Sequence, residues 1–319
     1  MTFSLLLLAT AVIFAQPLGA AEQIDTLEQI KQSGKARIGF RDDQPPMSFL
    51  NQDGKPAGYS IDLCVRIVNE VKNTLGKDDI AIEYVPLTAT NRFEALQNNT
   101  VDILCGATTK TISRGKLVDF TQLTFVTGAS LLSLKDKAVE GISGLQGKRV
   151  AVSRGTTTIG ALTAKLKESV SDAKVVPVDS ADAGMQALIK GEVDALSADQ
   201  VVLIGLVLTH EGDEQFAIAS DIFSYEPFAL AVRRNDSDFR LLADTVLAQL
   251  NRTGQITPIY SKWFGKFTKK VPPLLAGGGY IPLADGRVRA NVPYQNYVYY
   301  RRLLAETIVA ECPQNGITS

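Results

Sequence analysis

The stretch "CGATTKTISRGKLVDF" at 105–120 sets a hydroxyl and an arginine close together after an apolar run, with no acid before Asp119. Thr109 offers a hydroxyl and a backbone N–H. Arg114 offers a planar fork of donors that matches a carboxylate bidentately. The pair is a candidate carboxylate clamp; the duller alternative is a threonine capping a helix and an arginine on a solvated face. "SRGTTT" at 153–158 repeats the idea with Arg154, a turn-permitting Gly155, and Thr156 and Thr157 at a helix start that favours an anion. Its alternative is an ordinary helix cap. No Lys-Ser/Thr pair follows Gly155 and Gly160, which argues against a nucleotide phosphate loop. Asp199 closes the run "VDALSAD" and can take a cationic group, unless it is the N-cap of a helix starting at Gln200. Arg41 and Arg92 stand near two further run ends. Arg41, Arg92, Arg114 and Arg154, set against Asp199 as the one clear acid, favour a ligand with more negative than positive charge.

Other chemistries are poorly supplied. His210 is the sole histidine, and Cys64, Cys105 and Cys312 lack metal-ligand spacing, so metal catalysis and a Ser/His/Asp triad are disfavoured. A general acid or base could come from Asp199 or Glu226, but no dedicated pair stands out. The net charge of −1 and the absence of a basic stripe argue against nucleic acid. Hydrophobic residues at 45% and charged residues at 21% of 319 positions fit a globular protein large enough for two domains. At the N-terminus "MTFSLLLLATAVIFA", then Pro17, Gly19, Ala20 and Ala21, reads as a cleavable export signal over 1–20, too short to span a membrane. No cysteine marks a lipid-anchor site there. Export would allow disulfides. Cys64 falls in a helical pattern and Cys105 at a strand end, so a 64–105 bridge worth roughly 3–4 kcal/mol is open if the two elements pack. Two buried free thiols are the alternative that the pattern alone favours.

Elements that could hold these residues alternate along the chain. "KARIGFR" (35–41) reads as a strand, and apolar residues from Ile61 to Leu75 recur at helical spacing until Gly76. "IAIEYVPL" is a strand, "TNRFEALQNNT" a helix and "VDILCG" a strand, which makes a β-α-β-α-β run with parallel strands. A turn-rich stretch with a small hairpin around Asp53-Gly54 lies within it. An extended segment at 120–134 leads to a second run. Its strands are at 149–153, 173–179 and 193–199, with helices from Thr157, at 181–191 and at 200–210. "FAIAS" and "EPFALAVRR" are further strands, followed by a helix capped by Ser237 and ended by Gly254, and a short helix with Trp263. The simplest architecture is two α/β lobes. The first takes 27–127 with 228–270, the second, 128–227, is inserted, and the crossovers form a hinge. The tail at 271–319 has no assigned role. Arg41, Thr88 to Arg92, Ala107 to Thr109, Ser153 to Thr157, and Asp199 all fall at strand ends, where ligands bind in open α/β sheets.

With these residues in place, the chain resembles the periplasmic amino-acid-binding proteins of ABC transporters, solute-binding protein family 3, and within it the glutamate/aspartate-binding branch. The likeness covers about 27–273 and rests on "GYSIDLC", "VPLTATNRFEALQNNTVDILCGATTKTISR", "VDFTQLTFVTG", "LQGKRVAVSRGTTT" and "SKWF". It implies a two-lobed periplasmic-binding-protein fold of type II, each lobe a mixed, mainly parallel sheet with flanking helices and the ligand cleft between. It implies that Arg114, helped by Thr109 and the Thr157 region, holds the α-carboxylate of a free amino acid. Asp199 would take the α-ammonium, and Arg41 and Arg92 a side-chain carboxylate. The chain departs from the acidic-ligand pattern at Ala89 and Ala107, where hydroxyls are usual, and near Ala181, where a histidine often stands. The implied function is capture of an acidic or polar amino acid, glutamate or aspartate first, by a periplasmic monomer that closes on a hinge. An ABC permease in the inner membrane would be its partner, with no cofactor and no catalysis. The alternatives are a dehydratase-like enzyme on the same fold and a soluble partner of a sensor receptor.

Overall fold

The computed structural model describes residues 25–210, 214–265, 280–282 and 288–290. The expected leader, Cys312 and most of the expected tail lie outside the described residues.

Helix α1 (Thr26–Ser33), absent from the expected elements, is opened by Asp25, which accepts from the Glu28 N–H, and closed by Gly34. Strand β1 (Lys35–Phe40) follows. The short strands β2 (Asp43–Gln44), β3 (Ser48–Leu50) and β4 (Pro56–Ala57) then form a small antiparallel sheet. Helix α2 (Tyr59–Leu75), β5 (Ala81–Pro86), α3 (Arg92–Gln97) and β6 (Ile103–Cys105) complete the first run. The extended segment is two strands, β7 (Asp119–Thr127) and β8 (Ala129–Leu134). The second run comprises β9 (Arg149–Ser153), α4 (Thr157–Glu168), β10 (Lys174–Val178), α5 (Ala181–Ile189), β11 (Ala195–Asp199), α6 (Gln200–Thr209) and β12 (Phe216–Ile218). The chain returns through β13 (Glu226–Val232) to α7 (Ser237–Arg252) and α8 (Ile256–Phe264). A ribbon of β14 (Tyr280–Pro282) and β15 (Val288–Ala290) lies beyond. The N-cap of α7 is Asp236, one residue before the expected Ser237, because its carboxylate accepts from the Phe239 N–H.

Two five-stranded sheets result, β5-β1-β6-β13-β7 and β10-β9-β11-β8-β12. Each follows one recipe. Two parallel ladders come from the β-α-β runs, and two antiparallel ladders from strands next to the crossovers. Four of the five strands in each sheet run the same way and only β13 and β8 run against their neighbours, so the sheets are mixed and mainly parallel, as expected. The chain passes between sheets at β7 to β8 and again at β12 to β13. Gly128 sits where the two passages touch: a Cβ there would meet the Ile222 side chain at 1.9 Å and the Ser224 carbonyl at 2.2 Å.

Helix α2 lays Cys64, Ile67, Val68 and Val71 against the first sheet, all of them buried. That packing brings Cys64 to Cys105 at the end of β6, and the two form a disulfide with Cα atoms 6.3 Å apart. The bridged alternative therefore replaces the free thiols that spacing alone favoured. Closing so long a loop contributes about 3–4 kcal/mol in the chain-entropy picture. It ties α2 to the strand whose end carries Ala107 to Thr109.

Candidate ligand-binding cleft

The carboxyl ends of β1, β6, β9 and β11 meet between the two sheets, where an open α/β sheet presents its loops. Arg92 opens α3 and is buried. Its Nη1 donates to the Ala89 carbonyl, and its Nη2 reaches across to the Gly155 carbonyl of the second lobe at 3.1 Å. Arg114, half-buried, donates from Nη1 to the Thr109 carbonyl at 2.8 Å and from Nη2 to the same Gly155 carbonyl at 3.3 Å. Both guanidiniums lie over the Phe93 ring, 4.7 and 5.4 Å from its centroid. Gly155 can offer that carbonyl because it adopts φ +71°, and a Cβ there would come within 2.8 Å of the Ala89 carbonyl. Burial lowers the pKa of Arg92 well below the ordinary arginine value, and the charges of Arg114 and Arg41 lower it further. Burial likewise lowers Arg114, while Glu226 and Asp199 oppose the shift.

The hydroxyls serve a residue that the carboxylate-clamp reading left out. Thr109 and Thr157, one from each lobe, both donate to Glu226 Oε2, at 2.6 and 2.7 Å, and Ser224 donates to Oε1. Glu226 is 2% exposed at the start of β13. Thr156 is the N-cap residue of α4, yet its hydroxyl turns back to the Ser153 carbonyl at 2.7 Å and makes no capping bond. The first N–H groups of α4 thus receive no side-chain cap.

Asp199 precedes α6 but makes no side-chain cap, so the capping alternative is not realised. Its Oδ1 is buried and, among the described residues, has no hydrogen-bond partner. Burial raises its pKa well above the usual carboxylate range, nearby Glu226 adds to the rise, and Arg114 and Arg92 pull the other way. Arg41 is 5% exposed and spends Nη2 on Asp43 Oδ1 at 2.7 Å. Asp43 Oδ2 in turn accepts from the Ala181 N–H of the second lobe at 2.8 Å. Arg41, Asp43, Gln44, Ser153, Thr156 and Asp199 border a cavity of about 320 Å³, its open mouth included. Ala107, at the end of β6, donates its N–H to the Gln44 side chain at 3.1 Å.

Arg154 does not join this group. Its side chain is half exposed and pairs with the still more exposed Asp179, because Gly155 turns the chain between it and the cleft. The charge count changes accordingly. Instead of four arginines against Asp199, the cleft holds Arg41, Arg92 and Arg114 against Asp43, Asp199 and Glu226. Asp43 and Gln44 were not singled out from the sequence. Their one signal is position, two and three residues past Arg41 at the same strand end. Glu226 was noted only as a general acid or base, since nothing local links it to threonines 117 and 69 residues away. Among the described residues no group of three or more His, Cys, Asp or Glu is placed to hold a metal ion.

Comparison with known proteins gives this cleft its context. The family model for bacterial extracellular solute-binding proteins, family 3, matches residues 36–266. An L-glutamate/L-aspartate-binding protein of Pseudomonas aeruginosa is 32% identical over 271 residues, which are 84% of this chain and 89% of that one. Among solved structures, a mutant of ArgBP from T. maritima superposes with a TM-score of 0.66 at 26% identity, covering 75% of this chain and 99% of that one. An ancestral amino acid-binding protein, a precursor of cyclohexadienyl dehydratase, gives a TM-score of 0.66 at 27% identity over 75% of this chain and all of that one. The chain belongs to family 3 of the bacterial extracellular solute-binding proteins.

Proposed function

We propose that this protein captures a free amino acid, acidic or polar, outside the inner membrane and delivers it to an ABC permease there. The observation that carries the reading is Asp199: a buried carboxylate oxygen without a partner among the described residues, at the edge of a cavity lined from both lobes. A buried acceptor left unpaired costs about 1–3 kcal/mol, which an α-ammonium recovers on binding. Arg114 sits across the same cleft and is the donor for the α-carboxylate. Its 3.3 Å contact with the Gly155 carbonyl is the weaker of its two, and a carboxylate competes for it better than a neutral carbonyl. The uncapped start of α4 adds N–H groups and a favourable dipole on the lobe-2 side.

Each lobe then supplies part of the site, so a bound ligand favours the closed arrangement of a hinged pair. The names of relatives make glutamate and aspartate the first ligands to test. A thermal-shift screen of the purified protein against the amino acids is the test. Saturable stabilisation that leaves the ligand chemically intact supports transport. Consumption of a small carboxylate with no stabilisation by any amino acid would instead support an enzyme built on Asp199 and Glu226. Arg114→Ala should abolish the stabilisation; retained binding would remove Arg114 from the α-carboxylate.

A further inference from the structure

We infer that Asp43 sets the selectivity of this cleft: it is a built-in carboxylate filling the anion position at the side-chain end, so the site prefers an uncharged polar side chain. The inference rests on the amino-acid-binding reading above and narrows it.

A side-chain carboxylate entering here would look for two things, a guanidinium and an exposed helix N-terminus. Arg41 supplies the first and α5 the second. Asp43 already sits between them. Oδ1 accepts from Arg41 Nη2 at 2.7 Å, and Oδ2 accepts from the N–H of Ala181, the first residue of α5, at 2.8 Å. Both partners of the ion pair are about 5% exposed, so solvent screens their charges little. A second carboxylate at this end would face Asp43 as a like charge and find Arg41 Nη2 and the Ala181 N–H already engaged.

What remains fits a neutral group. Arg41 Nε is buried and has no partner among the described residues, so this donor is left for a carbonyl or hydroxyl oxygen. Gln44, Ser153 and Ser197 border the same cavity and can serve an amide or a hydroxyl. The charge balance agrees. Arg41, Arg92 and Arg114 are matched by Asp43, Asp199 and Glu226, and a zwitterion with a neutral side chain preserves that match.

The test is calorimetric titration of the wild-type protein with glutamine, asparagine, serine, glutamate and aspartate, repeated on Asp43→Asn and Asp43→Ser. Asn retains an acceptor for the Ala181 N–H while releasing the charge of Arg41; Ser opens room as well. In the wild type at least one uncharged polar ligand should bind about tenfold or more tightly than either acidic one. In the variants that ratio should move toward the acidic ligands by about tenfold or more, which is roughly the 1.4 kcal/mol per decade of affinity. Wild-type preference for glutamate or aspartate overturns the inference without any variant. An unchanged ratio in a variant that still binds does the same. Failure of the wild type to bind any amino acid would overturn the transport reading itself, and this inference with it.

Discussion

Strand β1 carries a buried arginine cluster at each end. At its start, Arg37 gives Asp102 three hydrogen bonds, from its backbone N–H, Nε and Nη2, and Arg233 adds a fourth at 3.0 Å. Asp102 is 1% exposed and both its oxygens are used. At its end, beyond Phe40, Arg41, Arg92, Arg114 and Asp199 share a space in which Asp199 Oδ1, Arg41 Nε and Arg92 Nε are buried without partners among the described residues. The first cluster leaves no carboxylate oxygen open, although Arg233 Nε is also buried without a partner among the described residues; the second leaves Asp199 Oδ1 open. Saturated buried charges hold elements together; unsaturated ones at a cleft are positioned for a partner that brings its own charge. The second lobe repeats the closed set at the start of β9, where Arg149 grips Asp194 through its backbone N–H, Nε and Nη2.

The largest expected effect comes from breaking the closed cluster. Asp102→Ala leaves Arg233 buried and uncompensated, and should lower unfolding stability by about 3–5 kcal/mol in urea titrations. Next comes the disulfide: Cys64→Ser with Cys105→Ser should cost about 3–4 kcal/mol in the same titration, with ligand affinity altered only as far as β6 loosens.

The open cluster should answer in the opposite sense. Asp199→Asn should raise the stability of the ligand-free protein at neutral pH by about 1–2 kcal/mol while weakening amino-acid binding. The sign follows from its raised folded pKa. The wild-type carboxyl favours folding when protonated, and that contribution is lost as pH rises through the raised folded pKa. The gap between variant and wild type should therefore close as the pH falls, as thermal melts over a pH series can show. Ligand affinity of the wild type should weaken over the same descent, because a proton competes with the ammonium. The smallest effect belongs to Asp194→Ala. It removes the three bonds from Arg149 that match those Arg37 gives Asp102, with no counterpart of the Arg233 bond, and the pair is more than one-third exposed on both sides, so it should move the urea midpoint by a small fraction of the Asp102 shift.

How much of this could be read from sequence follows the range of each interaction. The alternation of "KARIGFR", "VDILCG" and the amphipathic helix after Gly58 fixed the order of most elements, because those signals are local. Helix α1 escaped, although Asp25 and Glu28 carry a helix-start signature, since its apolar pattern is thin. In the cleft, Arg92, Arg114, Thr109, Thr157 and Asp199 were recognisable because each lies at a strand end or helix start. What they bond was not. The Thr109 and Thr157 hydroxyls meet Glu226 only once the chain has returned from the second lobe. Arg154 is adjacent in sequence to cleft residues, yet Gly155 turns it outward to Asp179. Asp43 matters through Ala181, 138 residues away. Charge type can be read along a chain, but charge pairing is settled by the fold.

The most direct measurement is calorimetric titration of the wild-type protein and Asp199→Asn with a binding amino acid and with its analogue lacking the α-amino group. Wild type should prefer the amino acid by about tenfold to a hundredfold, and Asp199→Asn should erase most of that preference, since the charge-assisted bond to Asp199 is worth about 1.5–3 kcal/mol. Equal affinity of the wild type for the two compounds would contradict the assignment of Asp199, and with it the reading of this cleft as an amino-acid site.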